Sequence, residues 1–186
     1  MRIGTIAYYL NVVRAFVLPG HFRIGSKSQI LSGAYINAYR GTVRIGKRAK
    51  INRGAIIDAQ KGSIVLGDNV SINPYSILYG LGGITIGDHV RIAAQVVIVS
   101  FDHNYQDRKK PITMQGVTLK PIVIEDDVWI GAGAKILGGS YVARGCIIGA
   151  NAVVKGRTEP YGIYVGSPAV RLKDRGTDDG TLLLET

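Results

Sequence analysis

Aromatic rings, cysteine and early acidic residues are all scarce in this sequence. Three Phe and one Trp among 186 residues leave aliphatic side chains to fill any core. The single cysteine, Cys146, excludes a disulfide framework and fits a reducing compartment. No apolar run reaches the ~20 residues needed to cross a bilayer. The nearest, residues 3–18 (IGTIAYYLNVVRAFVL), is broken by Asn11 and Arg14 and has no small-residue cleavage site of a secretory signal. A cytoplasmic location is therefore expected. No acidic residue precedes Asp58, whereas ten Lys and Arg do. The remaining 129 residues carry 13 charges of each sign, so the whole net charge of +10 lies in the N-terminal third. Such an excess is either a solvated face or an attraction to an anionic membrane surface or polyanionic substrate. No nucleic-acid partner is expected.

What the chain has instead is glycine, 25 residues of it, and a 46% hydrophobic content dominated by Ile and Val. That content excludes a disordered chain and favours strands with many turns. Aliphatic residues recur every six positions: Ile24, Ile30, Ile36; Ile45, Ile51, Ile57; Leu66, Ile72, Leu78; Ile86, Ile92, Ile98; Ile124, Ile130, Ile136; Val142, Ile148, Val154. Four residues after most of them stands a small or β-branched residue, such as Ala49, Ala55, Val70, Ser76, Val90, Ala134 or Cys146. A period of six is neither helical nor plain strand alternation. It fits short strands joined by tight turns, three to a triangular coil, with the aliphatic residue inward and the smaller one in the corner. A glycine following the aliphatic residue (Gly25, Gly46, Gly67, Gly87, Gly131, Gly149) is expected to supply the turn's backbone freedom. Six coils stacked ~4.8 Å apart make a parallel prism roughly 30 Å long.

The interruptions are ordered. The steps 36 to 45, 57 to 66 and 78 to 86 run two or three residues beyond six, and the step 98 to 124 runs twenty beyond. All four follow the third strand of a coil, so one prism edge is decorated and extrudes a long loop over 100–121. Long loops on rigid scaffolds are where function concentrates. Residues 1–22 are expected to form a helical cap ending at Pro19-Gly20, residues 23–159 the solenoid, and 160–186 a C-terminal extension.

The hexads over 24–159 resemble those of the left-handed parallel β-helix acyltransferases, an all-β hexapeptide-repeat solenoid fold. Four segments sharpen the resemblance toward the sugar and polysaccharide O-acetyltransferases: Ser100 to Tyr105 (SFDHNY), Pro111 to Gly116 (PITMQG), Val128 to Ala132 (VWIGA) and Gly166 to Ala169 (GSPA). The resemblance implies acetyl-CoA as acyl donor, a homotrimer, and active sites in clefts between neighbouring prisms. His103 matches the catalytic His of that family and Asn73 its second active-site position. Leu81 stands where the simple-sugar enzymes carry an acidic residue, and Val170 where a basic one usually follows the Gly-x-Pro-Ala segment, with Arg171 one place later.

The chemistry agrees with the pattern. A sugar hydroxyl is a poor nucleophile until a base takes its proton, and neutral imidazole is suited to that at physiological pH. His103 is accordingly the expected general base, with Asn73 orienting the acceptor or the thioester. Asn37 and Asn52 occupy the same hexad position, so Asn73 also has a plain structural reading. Trp129 is placed to line the acyl or pantetheine channel or to pack on a neighbouring subunit. Backbone amides around Gly131 and Ala132 are expected to meet the thioester oxygen, with Ala150 beside them along the cofactor. Lys155, Arg157, Arg171 and Lys173 are the expected partners of the phosphates of CoA. Cys146 and His89 read as structural. The acceptor is expected to be a carbohydrate, with the basic N-terminal third hinting at a lipid-linked or anionic glycan and at peripheral membrane contact through 1–20. A metal-dependent relative on such a scaffold needs three His in one site; His21, His89 and His103 are not spaced for it, and no metal is expected. Two other readings stay open: an N-acyltransferase acting on a nucleotide-linked amino sugar, and a non-enzymatic binding solenoid.

Overall fold

The computed structural model describes residues 21–176. They form the expected left-handed parallel β-helix, three sheets wrapped around one aliphatic core. Sheet A holds six strands: Phe22–Ile24, Thr42–Ile45, Ser63–Leu66, Ile84–Ile86, Ile122–Ile124 and Tyr141–Val142. Sheet B begins with Gln29–Ile30, Lys50–Ile51, Ser71–Ile72, Arg91–Ile92, Trp129–Ile130 and Ile147–Ile148. Sheet C runs from Tyr35–Asn37 through Ile56–Asp58, Ile77–Tyr79, Val97–Val99 and Lys135–Ile136 to Val153–Val154. Each strand pairs in parallel with its equivalent one coil away, so Ile51, Ile72, Ile92 and Ile130 form one stacked column. All four are wholly buried, as are the corner residues Ala55, Val70, Ser76, Val90, Val96, Ala134 and Cys146. The Cys146 thiol lies 3.3 Å from the Thr158 hydroxyl inside the core.

The glycines after the inward aliphatic residues do a different job from the one expected. The left-handed backbone conformation falls two places later, at Lys27, Arg48, Asn69, His89 and Asp127 on one edge and at Gly33, Gly54, Tyr75, Gln95, Gly133 and Asn151 on the next. Gly25, Gly46, Gly67 and Gly87 are instead where successive coils come closest. A Cβ on Gly46 would sit 2.4 Å from the carbonyl oxygen of Gly67. Backbone crowding, not turn geometry, therefore selects glycine there. Gly46→Ala is expected to cost about 1–3 kcal/mol, as overpacking does. Gly33→Asn, where φ is +81° and the nearest neighbour of a Cβ lies 3.5 Å away, is expected to stay within about 0.5 kcal/mol because Asn tolerates that conformation. Thermal melts of the two variants distinguish these roles; equal losses would contradict them.

The ends also differ from expectation. Phe22, assigned to a helical cap over 1–22, already lies in the first strand; the rest of that cap falls outside the described residues, apart from His21 in a turn. The solenoid continues past 159, because Gly162–Val165 adds in parallel to Ile147–Ile148 and Val170–Asp174 then returns antiparallel to it.

Candidate active site

The four insertions emerge on one edge, between sheets C and A, and the largest is more ordered than a plain loop. Phe101–His103 and Val117–Leu119 form an antiparallel hairpin, with His103 opposite Val117 and a short 3-10 turn over Ile112–Met114. Its base is fixed by Ser100, which is fully buried. The Ser100 hydroxyl donates to the Tyr79 carbonyl at 3.0 Å and accepts from the Gly82 amide at 2.9 Å, while its carbonyl accepts from the Lys120 amide at 2.8 Å. Gly82 makes this departure possible, since a Cβ there would lie 2.0 Å from the Ser100 carbonyl oxygen. Farther out, Asn104 donates to the Gln115 carbonyl and accepts from the Thr118 hydroxyl, tying the two limbs.

His103 is exposed near the root of this hairpin. Its ring meets Phe101 edge-on with centroids 6.0 Å apart, and among the described residues neither ring nitrogen has a hydrogen-bond partner. Asp102 points to the other side of the strand and is held by the Lys120 ammonium. It is thus not the group that orients the imidazole. Both nitrogens of His103 remain available to an acceptor or to a neighbouring copy of the chain.

Asn73 lies on a different edge, between sheets B and C. Its amide donates to the Ile92 carbonyl at 2.8 Å and its oxygen accepts from Asn52 at 3.2 Å. Asn52 and Asn73 are therefore steps of a coil-to-coil ladder. Asn37, expected at an equivalent turn, is on the C–A edge and donates to Asp58 instead. In the next coils the ladder position passes to Ala93 and Gly131.

The same B–C edge carries Gly131, Ala132 and Ala150, with Trp129 beside them on the outer surface of sheet B, 53% exposed. The amide of Gly131 is spent in the sheet, donating to the Ile148 carbonyl at 2.7 Å. The expectation that it faces a ligand is overturned: the strand ladder takes it. The amide of Ala132 is different, as are those of Ala94 and Ala150 at the equivalent place in the neighbouring coils. Among the described residues none of the three makes a hydrogen bond. In four of the six coils the matching amide of the A–B edge is capped by a carboxylate: Lys47 by Asp68, Asp68 by Asp88, Asp88 by Asp126 and Arg144 by Glu125, at 2.6–2.8 Å. The A–B edge thus satisfies most of its own amides, whereas the B–C edge leaves a row of donors open. Ala132 and Ala150 were expected along the cofactor; that their amides belong to a row with Ala94 is what sequence reading missed, and the Asp at hexad positions of one edge but not the other was its signal.

Electrostatics reinforce the closed edge. Glu125 is held below the usual carboxylate range, chiefly by the Tyr141 hydroxyl and then by the Arg144 amide. Asp126 is lowered by the Asp88 amide and the Arg144 guanidinium. The same bond to Glu125 raises the Tyr141 phenol. Of the cations expected to meet CoA phosphates, Arg157 stacks over the Tyr141 ring at 3.8 Å and Arg171 is ion-paired with Asp174. Lys155 is exposed just past the last strand of sheet C, and Lys173 lies in the terminal hairpin opposite Ile163. Within one chain, His103 and the open amides are on different edges with sheet C between them.

Known proteins supply a context for this geometry. Residues 121–156 match the family model described as bacterial transferase hexapeptide (six repeats). A probable acetyltransferase of Mycobacterium tuberculosis is 42% identical over 50% of this chain and 31% of its own length. A putative lipopolysaccharide biosynthesis O-acetyl transferase of Escherichia coli is 30% identical over 53% of this chain and 54% of its own. The chain thus spans between about a third and a half of these curated relatives. Among solved structures, an N-acyltransferase from Bacillus cereus shares the fold at a TM-score of 0.75 and 24% identity, covering 91% of this chain and 89% of that one. A hexapeptide-repeat-containing acetyltransferase from Vibrio cholerae, solved with acetyl coenzyme A, is 26% identical with a TM-score of 0.59, covering 88% and 77%. Residues 121–156 thus carry a bacterial transferase hexapeptide repeat, and the chain as a whole is similar in hexad pattern and fold to hexapeptide-repeat acyltransferases.

Proposed function

We propose that this protein is an acetyl-CoA-dependent O-acetyltransferase that modifies a sugar hydroxyl of a bacterial surface glycan, with His103 as general base. The observation that carries the reading is the pairing of an unpartnered imidazole on one edge with a row of unpartnered amides on another. A thiol ester on a long amide-bearing arm needs hydrogen-bond donors along its length and a base at its reactive end. In a homotrimer the C–A edge of one prism faces the B–C edge of the next, and the two halves meet across the cleft. The acceptor hydroxyl then attacks the thioester carbonyl as His103 takes its proton. The carbon–sulfur bond breaks, and the imidazolium returns the proton to the CoA thiolate. The Ala132 amide holds the carbonyl oxygen as it gains negative charge, and Asn73 positions the acceptor or donor beside it. Lys155 and the terminal-hairpin cations Arg171 and Lys173 meet the CoA phosphates, while Arg157 lends charge from its stack on Tyr141. The mechanism calls for no metal. The acetyltransferase names of the relatives and the acetyl coenzyme A of the Vibrio cholerae structure support the donor, and the Escherichia coli relative's name supports a glycan oxygen as acceptor.

Pro74 makes a clean test of the amide row. It occupies, one edge position below Ala94, the place that Ala132 holds two coils farther on, so proline is already accommodated there. Ala132→Pro should fold normally and lack only the donor. With bacterial glycan fragments and acetyl-CoA, the native chain should release free CoA thiol and yield a hydroxylamine-labile ester. Ala132→Pro should lower kcat by about 10²–10³-fold if its amide faces the oxyanion. Unchanged kinetics in that variant would remove the amide row from the site, and a hydroxylamine-stable product would make the acceptor an amine.

A further inference from the structure

The basic excess of the N-terminal third becomes a defined surface once the coils are stacked. Arg23 and Arg44 pair in register on the outer surface of sheet A. Lys27 and Arg48 hold the left-handed corner positions of the A–B edge, with Lys47 beside Arg48, and Lys50 faces outward on sheet B. All six are exposed. Arg40 and Arg53 extend the cations to the other two edges, so the first two coils carry a girdle of positive charge. Along two of these lines the positive charge then ends, while the Lys50 column continues through Ser71 to Arg91. Val65 and Thr85 continue the column of Arg44, and Asp68, Asp88 and Asp126 continue the edge above Lys47.

The girdle is largely unneutralised. Of its cations, Arg48 alone has an ion pair among the described residues, with Asp68 at 3.9 Å. It also surrounds the end of the prism at which the described residues begin, and the sequence before them carries Arg2, Arg14 and the apolar run 3–18 but no acid. Cations ringed around the entry point of an apolar segment fit a flat anionic surface better than a linear polymer, which would need a stripe along the prism.

We infer that the first two coils form an electrostatic docking surface for anionic phospholipid headgroups, holding the prism end-on at a membrane. This goes beyond the proposed transfer chemistry, and its test does not depend on that chemistry. Each such cation is worth about a fivefold change in partitioning to an anionic surface, falling off within a Debye length. The full chain should sediment with vesicles containing about a third phosphatidylglycerol or phosphatidylserine, less so as salt rises from about 0.05 to 0.5 M, and not with neutral phosphatidylcholine vesicles. Arg23→Gln/Arg44→Gln/Lys47→Gln should melt like the native chain and weaken binding on the order of 100-fold. Equal binding by the triple variant, equal binding to neutral vesicles, or retention on a soluble anionic polysaccharide with no vesicle binding would each overturn the assignment.

Discussion

His103→Ala is expected to lower the proposed acetyl transfer by about 10²–10⁴-fold, the range of a lost general base, and to leave the thermal melt unchanged. The first half follows from chemistry. A hydroxyl has no useful nucleophilicity near neutral pH unless its proton leaves as the new bond forms. The second half follows from position. The imidazole is exposed, meets the Phe101 ring edge-on, and has no hydrogen bond among the described residues, so its removal disturbs nothing in the core. His103→Gln supplies a control, retaining size and hydrogen bonding without basicity. A variant rate within about threefold of the native one would rule out the general-base role.

Ile72→Ala is expected to cost about 2–5 kcal/mol, enough to lower the melting temperature by roughly 5–20 °C. Ile72 is wholly buried at the centre of the column Ile51, Ile72, Ile92 and Ile130. Parallel coils held by backbone bonds on three sides cannot collapse into the space left behind, so the cavity persists and its cost adds to the lost transfer free energy. Leu119→Ala removes a similar volume from the hairpin, where the side chain is 56% exposed, and should shift stability by no more than about 0.5 kcal/mol. Comparable losses in the two variants would show that stacking of the columns is not what holds the solenoid together.

Much of this architecture was legible because stacking repeats one environment. Each aliphatic residue at a hexad position sees its counterparts above and below, so Ile51, Ile72 and Ile92 announce a column before any coordinates exist. The decorated edge was legible for the same reason: insertions after the third strand of each of the first four coils must leave at one corner. What escaped was set by the fit between coils. The glycine after the aliphatic residue looked like a turn residue, but Gly46 is there because the Gly67 carbonyl oxygen leaves no room for a Cβ. The hairpin of the long insertion has too few residues in each strand for periodicity to reveal, and its register depends on the bonds that Ser100 makes to Tyr79, Gly82 and Lys120.

The candidate site divides in the same way. The SFDHNY segment marked His103 directly. The open donors of Ala94, Ala132 and Ala150 carry no side-chain signature. Ala132 and Ala150 were nevertheless expected at the cofactor; that they form a row with Ala94 emerges when the Asp68, Asp88 and Asp126 ladder is seen capping matching amides of another edge. Asn73 shows the opposite case, a polar residue whose position matched a functional one and whose amide group also serves the ladder with Asn52 and Ile92.

A site divided between two edges makes the central claim open to complementation. His103→Ala and Ala132→Pro chains, each nearly inactive alone, should be mixed by co-expression and assayed as the assembled oligomer. If the imidazole of one copy works with the amides of its neighbour, random assembly restores about a quarter of the native sites, and acetyl transfer rises to about that fraction. Activity no higher than the mean of the two separate variants would contradict a site shared between subunits.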